Sequence, residues 1–107
     1  MKRATLIKIY DQLNADLFNG ALVRPTILCK RWYSFGQFVT GRKHTMEFNP
    51  TLIKGLHLAR AIVYHEMIHQ YIEEVLHKDE INHHGEIFWR VYKWFAIGEK
   101  IKLRSRF

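Results

Sequence analysis

Apolar residues fall at helical spacing in three stretches of this chain. In the first, Leu6, Ile9, Tyr10, Leu13 and Leu17 form one stripe, and Asn19-Gly20 supplies the stop. The pattern then changes. After Pro25, Thr26 to Tyr33 and Phe35 to Thr40 read as strands around a turn at Ser34. Gly41-Arg42-Lys43-His44 leads into a third strand, Thr45 to Phe48, which Asn49-Pro50 ends. Helical spacing returns with Leu58, Ala61, Ile62, His65, Ile68, His69, Ile72 and Leu76, so Leu56 to His77 reads as one amphipathic helix. Phe88, Trp89, Tyr92, Phe95 and Ala96 give a last helix an apolar face. The order helix, three short strands, helix, helix predicts an α+β layer of sheet against helices, with residues 1–107 as one domain. The third strand, just before the long helix in sequence, is either the sheet edge at the cleft, where an extended peptide would add as another strand, or a strand that is itself paired or covered; sequence order alone leaves both open.

The long helix carries His65-Glu66-Met67-Ile68-His69. Residues i and i+4 stand one above the other on a helix, so both imidazoles can reach one metal ion. Glu66 lies about 100° round from His65, where it can contact a water at the metal without taking a coordination position. That is the placement a general base requires. Both histidines lie on the apolar side of the helix, where burial of uncompensated imidazoles is costly and a shared metal satisfies them.

A catalytic zinc takes three protein ligands and leaves one position open. The third is expected from Asn82-His83-His84-Gly85-Glu86-Ile87-Phe88-Trp89, where a turn can bring a histidine back against the first helix. His84 opens the next helix and His83 competes with it. A carboxylate from Glu80 or Glu86 ranks below histidine, the commonest metal ligand. A longer peptidase pattern, with glycine three and histidine six residues after the second histidine, fails because Ile72 and Val75 stand there.

Three blocks together resemble a SprT-like domain, the zinc metallopeptidase family that includes the Spartan proteases of DNA–protein crosslink repair. They are the run Ile9 to Leu22 with its Phe18-Asn19-Gly20 turn, His65-Glu66-Met67-Ile68-His69, and His84-Gly85-Glu86-Ile87-Phe88. The resemblance implies a zincin-like fold and a zinc-dependent endopeptidase in which His65, His69 and His84 hold Zn²⁺ and Glu66 is the catalytic base. It selects His84 over His83, because the family's ligand directly precedes the glycine. Many members carry a C-terminal zinc ribbon of four cysteines; this chain has only Cys29, so a minimal catalytic core is expected. Continued to Trp89, the run His84-Gly85-Glu86-Ile87-Phe88-Trp89 is also similar to a block of a neighbouring group of small metal-dependent hydrolases.

Composition bounds the rest. A chain of 107 residues with 48% apolar content supports one core rather than two. With a single cysteine no disulfide framework forms, which fits a reducing, cytoplasmic compartment. Cys29, beside Ile27, Leu28 and Trp32, is expected to be buried. The apolar run after Met1-Lys2-Arg3 is broken by Lys8 and Asp11, which argues against a signal peptide, and no stretch approaches the roughly 20 apolar residues that span a bilayer. No membrane partner is expected, and a monomer is.

Seventeen Lys and Arg against ten Asp and Glu give a net charge of +7, and Lys100 to Phe107 alternate basic with mostly apolar residues. Such a surface attracts phosphate backbones, and Trp32, Tyr33, Phe35 and Phe38 near Lys30 and Arg31 offer stacking to unpaired bases. Single-stranded DNA and DNA-bound proteins are therefore candidate partners beside a protein or peptide substrate. Two other functions compete: a noncatalytic, zinc-stabilised nucleic-acid-binding module, which leaves Glu66 without a purpose, and a zinc hydrolase of a non-peptide substrate, which shares the whole site.

Overall fold

The computed structural model of the chain describes residues 1–41, 43–78 and 84–96. Its elements run α1 (Arg3–Phe18), β1 (Thr26–Cys29), β2 (Gly36–Val39), β3 (Thr45–Phe48), α2 (Leu56–Glu74) and α3 (Glu86–Ala96). The α+β reading and the element order hold.

The α1 stripe buries Leu6, Ile9, Tyr10 and Leu13, then ends on Phe18 rather than the half-buried Leu17. Asn19 and Gly20 both take positive φ, 53° and 71°, and the Gly20 N–H returns to the Asn14 carbonyl at 2.8 Å. Asn14 also clamps the chain that follows. Its Nδ2 donates to the Leu22 carbonyl at 2.7 Å, and its Oδ1 accepts from the Leu22 N–H at 3.1 Å. Replacing Asn14 by alanine strands both backbone groups in a partly buried turn. Asn14→Ala is expected to lower stability by about 1–3 kcal/mol, read from urea denaturation.

Strand topology departs from expectation. β1 stops at Cys29 rather than running to Tyr33, because residues 30–34 are held as a bend by tertiary bonds. Asn49 Nδ2 donates to the Trp32 carbonyl at 2.5 Å, and the Asn49 N–H donates to the Phe35 carbonyl at 2.9 Å. The sheet order is β1-β3-β2, with β1 parallel and β2 antiparallel to β3. β3 is therefore central and cannot be the free edge at a cleft; among the described residues β2 is the edge that borders it. Gly36 of β2 sits against the Phe48 ring, where a Cβ would meet Cδ1 at 3.0 Å. Cys29, the last residue of the other edge strand, is exposed rather than buried.

α2 is buried at every position from Ala61 to Gln70, so its middle is a core element packed on all sides rather than an amphipathic surface helix. It ends at Glu74, short of His77, which takes φ 52° as the Lys78 N–H returns to the Ile72 carbonyl. Burying Gln70 requires partners, and it has three. Its Oε1 accepts from the Tyr10 hydroxyl at 2.7 Å, while its Nε2 donates to the Val23 carbonyl at 2.8 Å and to Glu74 Oε1 at 2.9 Å. Glu74 Oε2 then meets His44 Nδ1 at 2.5 Å. This chain of bonds ties α1 and the approach to β3 to the helix that carries the motif.

Candidate metal centre

α2 delivers His65, Glu66 and His69 into the interior, with exposures of only 1%, 3% and 8%. His84 comes from the other side, just ahead of α3, and stays exposed. Its Nε2 lies 3.0 Å from His65 Nε2, and one ligand atom from each of the three imidazoles falls within 4.8 Å of the others. Zinc with nitrogens at about 2.0–2.1 Å in a tetrahedron sets them roughly 3.3 Å apart, inside that span. His65, His69 and His84 can thus together hold a metal ion.

Packing explains why α3 brings His84 to this point. Phe88, one turn on, is buried, and its ring centroid lies 4.8 Å from that of His65, 4.7 Å from His69 and 5.0 Å from His84. All three imidazoles rest on this single ring. The Tyr64 hydroxyl donates to the Tyr92 carbonyl, which joins α2 to α3 beside it. The sequence places Phe88 on an apolar stripe without assigning it this supporting position, although its spacing of four from His84 is the usable signal.

The rival ligands separate. Glu86 is exposed and paired with Arg90 one turn along at 2.5 Å, away from the cluster. His83 and Glu80 lie outside the described residues, as do Arg42 and the basic tail from Lys100. Of the stacking candidates, Tyr33 is fully open and Lys30 sits over Trp32 at 5.9 Å, whereas Phe35 and Phe38 are partly buried against the core.

Glu66 Oε2 is 4.0 Å from His65 Nε2, and both face a cleft. One wall of that cleft is α2, with His65, Glu66, His69 and Glu73; the opposite wall is β2 and its flanks, with Ser34, Gly36, Gln37, Phe38 and Thr40. No tyrosine lines it among the described residues. Tyr64 spends its hydroxyl on a carbonyl, and the Tyr71 ring packs between Phe18 and Phe95. A second donor to a developing oxyanion is therefore not offered by these rings.

Burial, and then the neighbouring His69 and His84, push the His65 imidazole down to about 2. It stays neutral, with the lone pair of one ring nitrogen available to a metal. In metal-free protein the sign follows directly. Below about 6.5 the unfolded chain takes up a proton that folded His65 refuses, so stability present above that pH is lost progressively as the pH falls toward 2. Between pH 7 and pH 5 the expected loss from this residue is about 2 kcal/mol. Urea melts of chelator-treated protein should show a slope that His65→Gln reduces by about one proton.

Among the described residues no helix is long and apolar enough to cross a membrane. The SprT-like family model matches residues 6–101. No curated protein and no solved structure gives a significant match.

Proposed function

The chain belongs to the SprT-like family, and on that premise we propose that it is a zinc-dependent endopeptidase. The observation that supports this best is the convergence of His65, His69 and His84 beside a buried carboxylate, Glu66, in a cleft walled by a sheet edge. Zinc, when bound by the three imidazoles, would supply Lewis acidity that lowers the pKa of water toward about 7 and polarises a carbonyl. Glu66 takes the proton of the attacking water on a carboxylate oxygen and delivers it to the leaving amine. β2 holds the substrate as an added strand through main-chain hydrogen bonds, which tolerates many sequences. His65 and His69 are held by the all-round burial of α2, so the geometry exists before substrate arrives.

The noncatalytic reading leaves Glu66 idle in the interior, where an unused carboxylate is costly to keep. Hydrolysis of unfolded or basic protein by zinc-loaded protein, with and without single-stranded DNA, tests the proposal. Turnover confined to non-peptide amides or esters would replace it with the broader hydrolase reading.

DNA-associated proteins are the proposed substrates, supported by the net charge of +7 and by the fully open Tyr33 beside Lys30 and Arg31. Single-stranded DNA binding is then expected to weaken with salt, with a log–log slope of about −0.7 per neutralised phosphate. Reversing Lys100, Lys102, Arg104 and Arg106 to glutamate should flatten the slope and leave zinc content unchanged. Absence of binding at low salt would leave a DNA-independent peptidase.

A further inference from the structure

The charges of the cleft run against those of the chain. In a sequence with net charge +7, no described lysine or arginine lines it, and the carboxylates that line it among the described residues are Glu66 and Glu73. Glu66 is committed to the water proton, which leaves Glu73 for the substrate.

Glu73 and its neighbour Glu74 have different surroundings. Glu74 is fixed from both sides, by Gln70 at 2.9 Å and His44 at 2.5 Å. Glu73 is half-buried, lines the cleft, and makes no hydrogen bond or ion pair with another described residue. His65, His69 and Glu73 are spaced i, i+4, i+8 on α2, so the carboxylate continues the histidine row about 6 Å further along the helix. An extended chain advances about 3.3 Å per residue. A substrate lying along β2 thus brings a side chain to Glu73 two or three residues from the bond over Glu66. Partial burial favours a cationic partner there, because a half-desolvated carboxylate gains most from a charge-assisted bond.

We propose that Glu73 is a specificity-determining residue: it forms a subsite for a lysine or arginine side chain two or three residues from the scissile bond. This rests on the peptidase reading above, and the experiment is built so that the two can fail separately. The probes are peptides of one sequence carrying lysine, norleucine or glutamate at each of the three positions on either side of a single cleavable bond. Cleavage is followed with zinc-loaded wild-type protein, and binding by fluorescence anisotropy with zinc-loaded Glu66→Gln.

At one position, lysine should be bound and cleaved about three- to fivefold better than norleucine. Glu73→Gln, placed in each background, should bring that ratio close to one, and Glu73→Lys should shift the preference to the glutamate peptide. Zinc content and melting temperature of each variant show whether it is folded and loaded. A lysine preference unchanged by both substitutions overturns the subsite, as does equal binding of lysine and norleucine peptides to the Glu66→Gln protein. Glu73-dependent lysine binding without cleavage by the wild-type protein overturns the peptidase reading instead and leaves the cationic subsite in place.

Discussion

Glu66→Gln protein is expected to keep its fold and its zinc while hydrolysing protein substrates at least about 10²-fold more slowly than wild type, the lower end for removal of a general base. Glutamine matches glutamate in size, so the 3%-exposed pocket is not opened. It retains an acceptor oxygen toward the cleft but cannot take up the water proton. The ligand set does not include Glu66, so metal content should be untouched. Turnover, zinc content and thermal melts read together separate chemistry from structure. Hydrolysis at the wild-type rate would show that the proton goes elsewhere and remove Glu66 from the mechanism.

The parts of this site that were legible in the sequence are those fixed by one-dimensional spacing. The spacing of four from His65 to His69 places both rings on one helix face whatever the rest of the fold does, and periodicity sets the helices to within a few residues. Residue chemistry alone leaves the third candidate open between His83 and His84; the order histidine then glycine in the family block selects His84, and the structure brings that residue to the cluster. Partners across space were not legible. Alternation of polar and apolar residues does not say which strands are neighbours, so a parallel β1–β3 pair was out of reach, and with it the identity of the cleft edge. Residues 30–34 have strand-forming composition, yet Asn49 overrides it with bonds to Trp32 and Phe35. Phe88 shows the same limit: its stripe position predicts burial, whereas contact with all three imidazoles depends on the angle at which α3 meets α2.

Burial also orders the three histidines by what their loss would cost. His65 and His69 sit in the core, so their removal leaves a cavity or an unmet polar group and confounds metal loss with unfolding. His84 is exposed and contributes from outside the packed helix. It is the position where ligation can be tested without disturbing the core.

His84→Ala is accordingly expected to lower zinc affinity by more than about 100-fold, beyond the range caused by changes outside the ligand sphere. The metal-free melting temperature should stay close to that of the metal-free wild type. His83→Ala should fall within about tenfold of wild type, because no contact of His83 with the metal is proposed. On the proposed function zinc binds only the folded site, so the stabilisation expected from it follows affinity: a 100-fold weaker site would lose about 2.7 kcal/mol of zinc-dependent stability at a fixed, saturating free-zinc level. Competition against a chromophoric chelator measures the first quantity and melts with and without zinc the second. Wild-type affinity in His84→Ala would overturn the assignment of His84. Loss in both would place His83 in the set and make the ion four-coordinate through protein alone, closing the position that water needs.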